Sequence, residues 1–137
     1  MPHLRPVHRP EAAPQRPEIT DAEGAAAARA AIRLFRNWGL RDAEACTMLG
    51  GLSPRTYQRW KAGDIGPLSR DVKARLSNLL GIHKALRIIF REPERGYDWI
   101  SRANARFGGR SAREIMLGGE LTDLMRVRSY LDAERGG

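Results

Sequence analysis

Apolar residues in this chain recur at helical spacing, and nowhere do β-branched residues alternate as a half-buried strand requires. Ala28, Ala31, Ile32, Phe35 and Trp38 share one face of a first helix, while Arg29, Arg33 and Arg36 fall elsewhere on it. Thr20 and Glu23 form a capping box at its start, and Gly39 stops it. A short second helix is predicted over 42–49, ending at Gly50-Gly51. Ser53-Pro54 opens a third, with serine as cap and proline at the first helical position, and Gly63 closes it. Ser69 caps a longer helix reaching Phe90, whose buried stripe is Val72, Leu76, Leu79, Leu80, Leu86 and Ile89. Gly81 lies within that stripe, as a bend or a point of close packing.

Beyond Pro93 the pattern predicts a short helix through Trp99 to Arg102, and then a loop over 103–110. A short helix capped by Ser111 follows, and a last helix over 120–134 carries Leu121, Leu124, Val127 and Leu131. The fold class is all-α. Residues 1–19 hold five prolines, with Arg5, Arg9 and Arg16 among them, and are expected to form a disordered or polyproline-like arm. Residues 20–68 are expected to form one unit and 69–137 a second, helical one.

Composition narrows the function classes. In 137 residues, 42% are hydrophobic but only 7% aromatic, so the core is thin. No run approaches the ~20 apolar residues of a membrane span, and no signal peptide is evident. The one cysteine, Cys46, cannot form an internal disulfide; it suits a buried, inert thiol and a cytoplasmic location. A net charge of +8 favours a phosphate-bearing or acidic partner over a neutral one.

The second and third helices supply the chemistry for such a partner. A helix-turn-helix needs small residues where its helices cross, glycine at the turn and an apolar residue just after it. Ala45 or Cys46, Gly50 and Leu52 meet those needs. At about 100° per residue, Tyr57 and Trp60 share the anchoring face of the third helix, opposite Arg55, Gln58 and Arg59. Arginine bonds guanine O6 and N7, and glutamine reads adenine. Ser53, Thr56 and Lys61 are placed to meet phosphates of double-stranded DNA. No acidic residue lies between Ser53 and Gly63. An ordinary helical hairpin with a solvated basic face has the same pattern.

The chain resembles antitoxins of the Xre/MbcA/ParS type over about residues 25–137. The N-terminal likeness lies in Leu49-Gly50-Gly51-Leu52-Ser53 and in Arg55 through Gly63. The more specific likeness is C-terminal: Trp99-Ile100, Asn104, Phe107-Gly108-Gly109-Arg110-Ser111, Gly119-Glu120-Leu121 and the run from Val127 to Gly137. Alanine stands at 103 and 112, where the family often has proline. The resemblance implies a C-terminal domain that binds and neutralises a RES-type toxin, an enzyme that depletes NAD. It also implies a helix-turn-helix that represses the protein's own operon, as a homodimer. Toxin contacts are then expected at Trp99, Arg128, Tyr130, Arg135, Gly136 and Gly137, with the extreme C-terminus approaching the toxin's active site.

Taken without the resemblance, these residues leave alternatives open. Chain ends usually fray, and Trp99 and Tyr130 suit a core rim as well as a binding hot spot. His83 has no second ligand at metal spacing, and Phe107-Gly108-Gly109 follows no strand as a phosphate-binding loop would. No cofactor and no nucleophile–base set is expected, so the chain does not read as an enzyme. A stand-alone regulator with a C-terminal dimerisation or ligand-sensing domain is the alternative.

Overall fold

The computed structural model describes residues 19–136. The arm expected at 1–19, except Ile19, lies outside these residues, as does Gly137. In chain order the helices are α1 (Asp21–Asn37), α2 (Asp42–Met48), α3 (Pro54–Lys61), α4 (Arg70–Ile89), α5 (Pro93–Ser101), α6 (Ala112–Met116) and α7 (Leu121–Glu134). A 3-10 turn, Ala105–Phe107, sits in the α5–α6 loop. The described residues form no strand; Ala103 and Ser111 make an isolated antiparallel bridge.

The helix starts follow from local chemistry. Thr20, Ser53, Ser69 and Ser111 each accept a hydrogen bond from the backbone N–H three residues on, satisfying a donor that the helix leaves unpaired. Ala112 occupies the first position of α6, where proline is tolerated because its N–H has no helical partner, so alanine there leaves the layout intact.

Helix α4 is the spine, packing against α1, α5 and α7. Its Leu76, Leu79, Ile82 and Ala85 are fully buried. They meet Ala28, Ala31 and Phe35 of α1 and Leu124, Val127 and Leu131 of α7 in one core. Each fully buried leucine or isoleucine contributes about 1.5–3 kcal/mol. Ile32, Val72, Leu80 and Ile89 are only half-buried, because they border the apolar stripe rather than centre it. Helix α4 continues unbroken through Gly81. A Cβ there would lie 2.5 Å from Nε and Cζ of Arg128, so the glycine serves close packing.

Two polar joints fasten α2 to the C-terminal half. Arg75, 7% exposed, donates Nε to Asp71 (2.8 Å) and Nη1 to the carbonyls of Gly119 (2.7 Å) and Met48 (3.4 Å). Arg113 forks onto Glu44, with Nη2 at 2.5 Å and Nε at 3.2 Å from its two carboxylate oxygens.

Candidate functional site

Helices α2 and α3 meet through a turn that requires glycine. Gly50 has φ +84° and Gly51 φ +86°, and the Gly51 N–H returns to the Cys46 carbonyl at 2.9 Å. A side chain at Gly50 would also strike the Arg75 guanidinium, at 2.7 Å. Tyr57 and Trp60 are buried and fix the inner face of α3. Burial pushes the Tyr57 phenol up to about 12. Cys46 is buried beneath the turn, and desolvation raises its thiol above the ordinary range, as an inert core position requires.

The six residues predicted to meet DNA divide into two groups. Arg55 and Arg59 are exposed and make no ion pair among the described residues. Ser53 caps α3, and its Oγ also donates to Thr56 Oγ1 at 2.9 Å, leaving the Thr56 hydroxyl proton for an outside acceptor. Gln58 and Lys61 instead converge on Asp42 of α2, at 2.9 and 2.8 Å. The Lys61 ammonium lies over the Tyr57 ring, 5.6 Å from its centroid. The Lys61 hydrogen bond holds the exposed Asp42 carboxyl below its ordinary value. The pattern of α3 alone does not disclose this acid, because Asp42 reaches the same surface from the preceding helix. Gln58 and Lys61 are therefore braced, while Arg55 and Arg59 are free to search.

The C-terminal candidates also fall into two places. Trp99 of α5 and Tyr130 of α7 lie parallel, centroids 6.0 Å apart and planes 8° from each other. Phe107 meets both edge-on, at 6.2 and 5.2 Å, and the Arg126 guanidinium sits 5.4 Å from its ring centroid. Trp99 and Tyr130 are half-buried, each with a rim toward solvent. The sequence pattern places Phe107 only in a connecting loop; the 3-10 turn buries it as the floor of this cluster. An aromatic before two glycines is the available signal.

Arg128 and Arg135 are on a different patch. With Lys84 and Asp132 they line an open groove of about 430 Å³ between α4 and α7. Asp132 lies 3.7 Å from Arg128 Nε and 3.9 Å from Arg135 Nη1. Arg128 also donates to the Ser77 carbonyl at 3.4 Å, over the bare backbone of Gly81. Gly136 has φ +95°, and its N–H donates to the Ala133 carbonyl at 3.2 Å. His83 lies half-buried elsewhere, beside Arg33, Arg87 and Tyr97; burial and then Arg87 lower its pKa. The described residues hold no group of three or more metal-ligating side chains and no helix long and apolar enough to cross a membrane.

These surfaces define a helix-turn-helix protein with a second helical binding unit on a shared spine. Residues 17–81 match the antitoxin Xre-like helix-turn-helix domain. Residues 85–137 match the antitoxin Xre/MbcA/ParS C-terminal toxin-binding domain. The chain is also similar to the uncharacterized protein y4oB of Sinorhizobium fredii, at 42% identity over 121 residues, 88% of this chain and 93% of that one. The chain belongs to the Xre/MbcA/ParS antitoxin family: it is the antitoxin of a toxin–antitoxin pair. A toxin protein and DNA are the partners these two regions imply.

Proposed function

We propose that this antitoxin neutralises a RES-type, NAD-depleting toxin through its C-terminal half and represses its own operon through α3, acting in the cytoplasm as a homodimer. The carrying observation is that a toxin-binding unit and an α3 face bearing the exposed Arg55 and Arg59, unpaired among the described residues, occur in one chain. Arg55, Gln58 and Arg59 read bases in this scheme, and Ser53, Thr56 and Lys61 hold phosphates. A dimer would present two such helices to half-sites one helical turn apart. On the toxin side, Trp99 and Tyr130 supply flat anchors at low entropic cost. Asp132 pairs with Arg135, and beyond it Gly136 and Gly137, without side chains, would fit a narrow cleft on the toxin. Arg135 suits a carboxylate or a phosphate-binding subsite there.

The test is co-expression with the product of the neighbouring open reading frame. That protein alone is expected to arrest growth and deplete NAD, and this chain to co-purify with it and restore growth. Removing residues 135–137 is expected to weaken rescue while leaving DNA binding unchanged. Full rescue by the shortened chain would refute a role for the tail in the toxin cleft. A neighbour that neither depletes NAD nor binds this chain would instead favour a stand-alone regulator.

A further inference from the structure

We propose that the loop between α5 and α6 is a second contact for the DNA phosphate backbone, made by Arg102, Arg106 and Arg110. It extends the helix-turn-helix interface and rests on the reading that α2 and α3 bind duplex DNA.

From residue 99 to 113 the chain carries Arg102, Arg106, Arg110 and Arg113 and no acidic residue. The first three are exposed and form no ion pair among the described residues. The loop that bears them is internally ordered. Asn104 N–H donates to the Arg110 carbonyl and Gly109 N–H to the Asn104 carbonyl, both at 3.0 Å. The Asn104 side chain accepts from Arg106 N–H at 2.9 Å, and Ala103 bridges Ser111. The arginines thus ride on a closed platform, so less backbone freedom is lost when they meet a ligand.

Position selects the ligand. Arg113, three residues beyond Arg110, is locked onto Glu44 in the first turn of α2. The base of the loop is therefore fastened beside the amino end of α2. In a helix-turn-helix the first helix crosses the phosphate backbone while the second enters the major groove. That end of α2 carries the exposed Arg41, 3.5 Å from Glu44, and Asp42, which pairs with Lys61 of α3. At that end Arg41, Lys61 and Arg113 are each paired with Glu44 or Asp42, so among the described residues there the exposed Arg102, Arg106 and Arg110 are the cations left to meet phosphates of a duplex running off α2. Each guanidinium would donate to phosphate oxygens and displace condensed counterions, adding affinity without sequence preference.

The test is a salt titration of the full chain on a mixed-sequence duplex of about 30 base pairs, a length that accommodates flanking contacts. The variant Arg102→Ala/Arg106→Ala/Arg110→Ala is compared with Arg55→Ala/Arg59→Ala and with a charge-matched control, Arg87→Ala/Arg91→Ala/Arg95→Ala. The slope of log K against log salt is expected to become shallower by about 2–3 for the loop variant, at about 0.9 for each phosphate no longer neutralised. The control should keep the native slope, and lysine at all three loop positions should restore it. A native slope in the loop variant, with binding abolished in Arg55→Ala/Arg59→Ala, overturns the loop contact and leaves the helix-turn-helix reading standing. An equal fall in loop variant and control reduces the effect to bulk charge and overturns the proposal. Loss of co-purification with the toxin at a native slope assigns the loop to the protein partner and likewise overturns the DNA contact. No duplex binding by the native chain overturns both readings.

Discussion

Gly81 and the Arg128 guanidinium divide a volume that cannot hold a methyl group as well. Gly81→Ala favours the helical state of α4 by about 1 kcal/mol through propensity alone. Arg128 has a flexible side chain, so its tip is expected to swing out, leaving the Ser77 carbonyl and Asp132. Stability should then change by no more than about 1 kcal/mol in either direction. Toxin affinity, read by calorimetric titration, should fall as it does in Arg128→Ala. An unchanged affinity would place the Arg128 groove outside the toxin interface. His83 gives a pH test. Its folded pKa lies below the ordinary 6.5 because burial and Arg87 oppose its charge. Its contribution is therefore fully present above the unfolded value and is lost as pH falls through 6.5 toward the folded value. Melting temperature should drop between about pH 7.5 and about pH 5.5, and His83→Gln should flatten that drop.

At the scale of elements, the joints on α2 matter more than their exposure to sequence pattern suggests. Glu44 (side chain 11% exposed) is held below its ordinary pKa, first by its hydrogen bond to Arg113 (28% exposed). A double-mutant cycle of Glu44→Gln with Arg113→Gln is expected to give a coupling of about 1–2 kcal/mol by denaturant titration. That coupling should persist above the ordinary carboxylate range and vanish as acid neutralises Glu44. Arg75→Ala should cost about 2–4 kcal/mol, since it strips partners from the Gly119 and Met48 carbonyls. The helices themselves are legible in the sequence. Thr20 with Glu23, Ser53-Pro54, Ser69 and Ser111 each act locally, within one turn, and local chemistry survives without knowing the fold. The joints are not legible. Arg113 stands 69 positions from Glu44 and Arg75 stands 44 from Gly119, and nothing in their immediate neighbours marks either as a clamp. The same reason hides Asp42 from the pattern of α3, and Phe107 from the pairing of Trp99 with Tyr130.

Across the whole molecule, α4 binds both halves into one core, so unfolding is expected to be a single cooperative transition. Calorimetric and van't Hoff enthalpies should agree, with no early melting of residues 20–68. Two separated transitions would show that the halves fold independently. The all-α class and the exposed face of α3 follow from periodicity, whereas the grouping of Arg128 with Lys84 depends on how α7 lies along α4, which no single helix pattern encodes. That shared helix bears on how such proteins diversify. The two family matches adjoin at residues 81–85, inside the unbroken α4 (Arg70–Ile89). An exchange of operator specificity between related antitoxins by a crossover at that seam would graft half a helix onto a foreign half, with mismatched stripes toward α1 and α7. Viable hybrids should instead be spliced before Ser69, so that α4 stays whole and keeps its more extensive packing on α7, with only its α1 face left to be matched, and natural mosaics should show their breakpoints there.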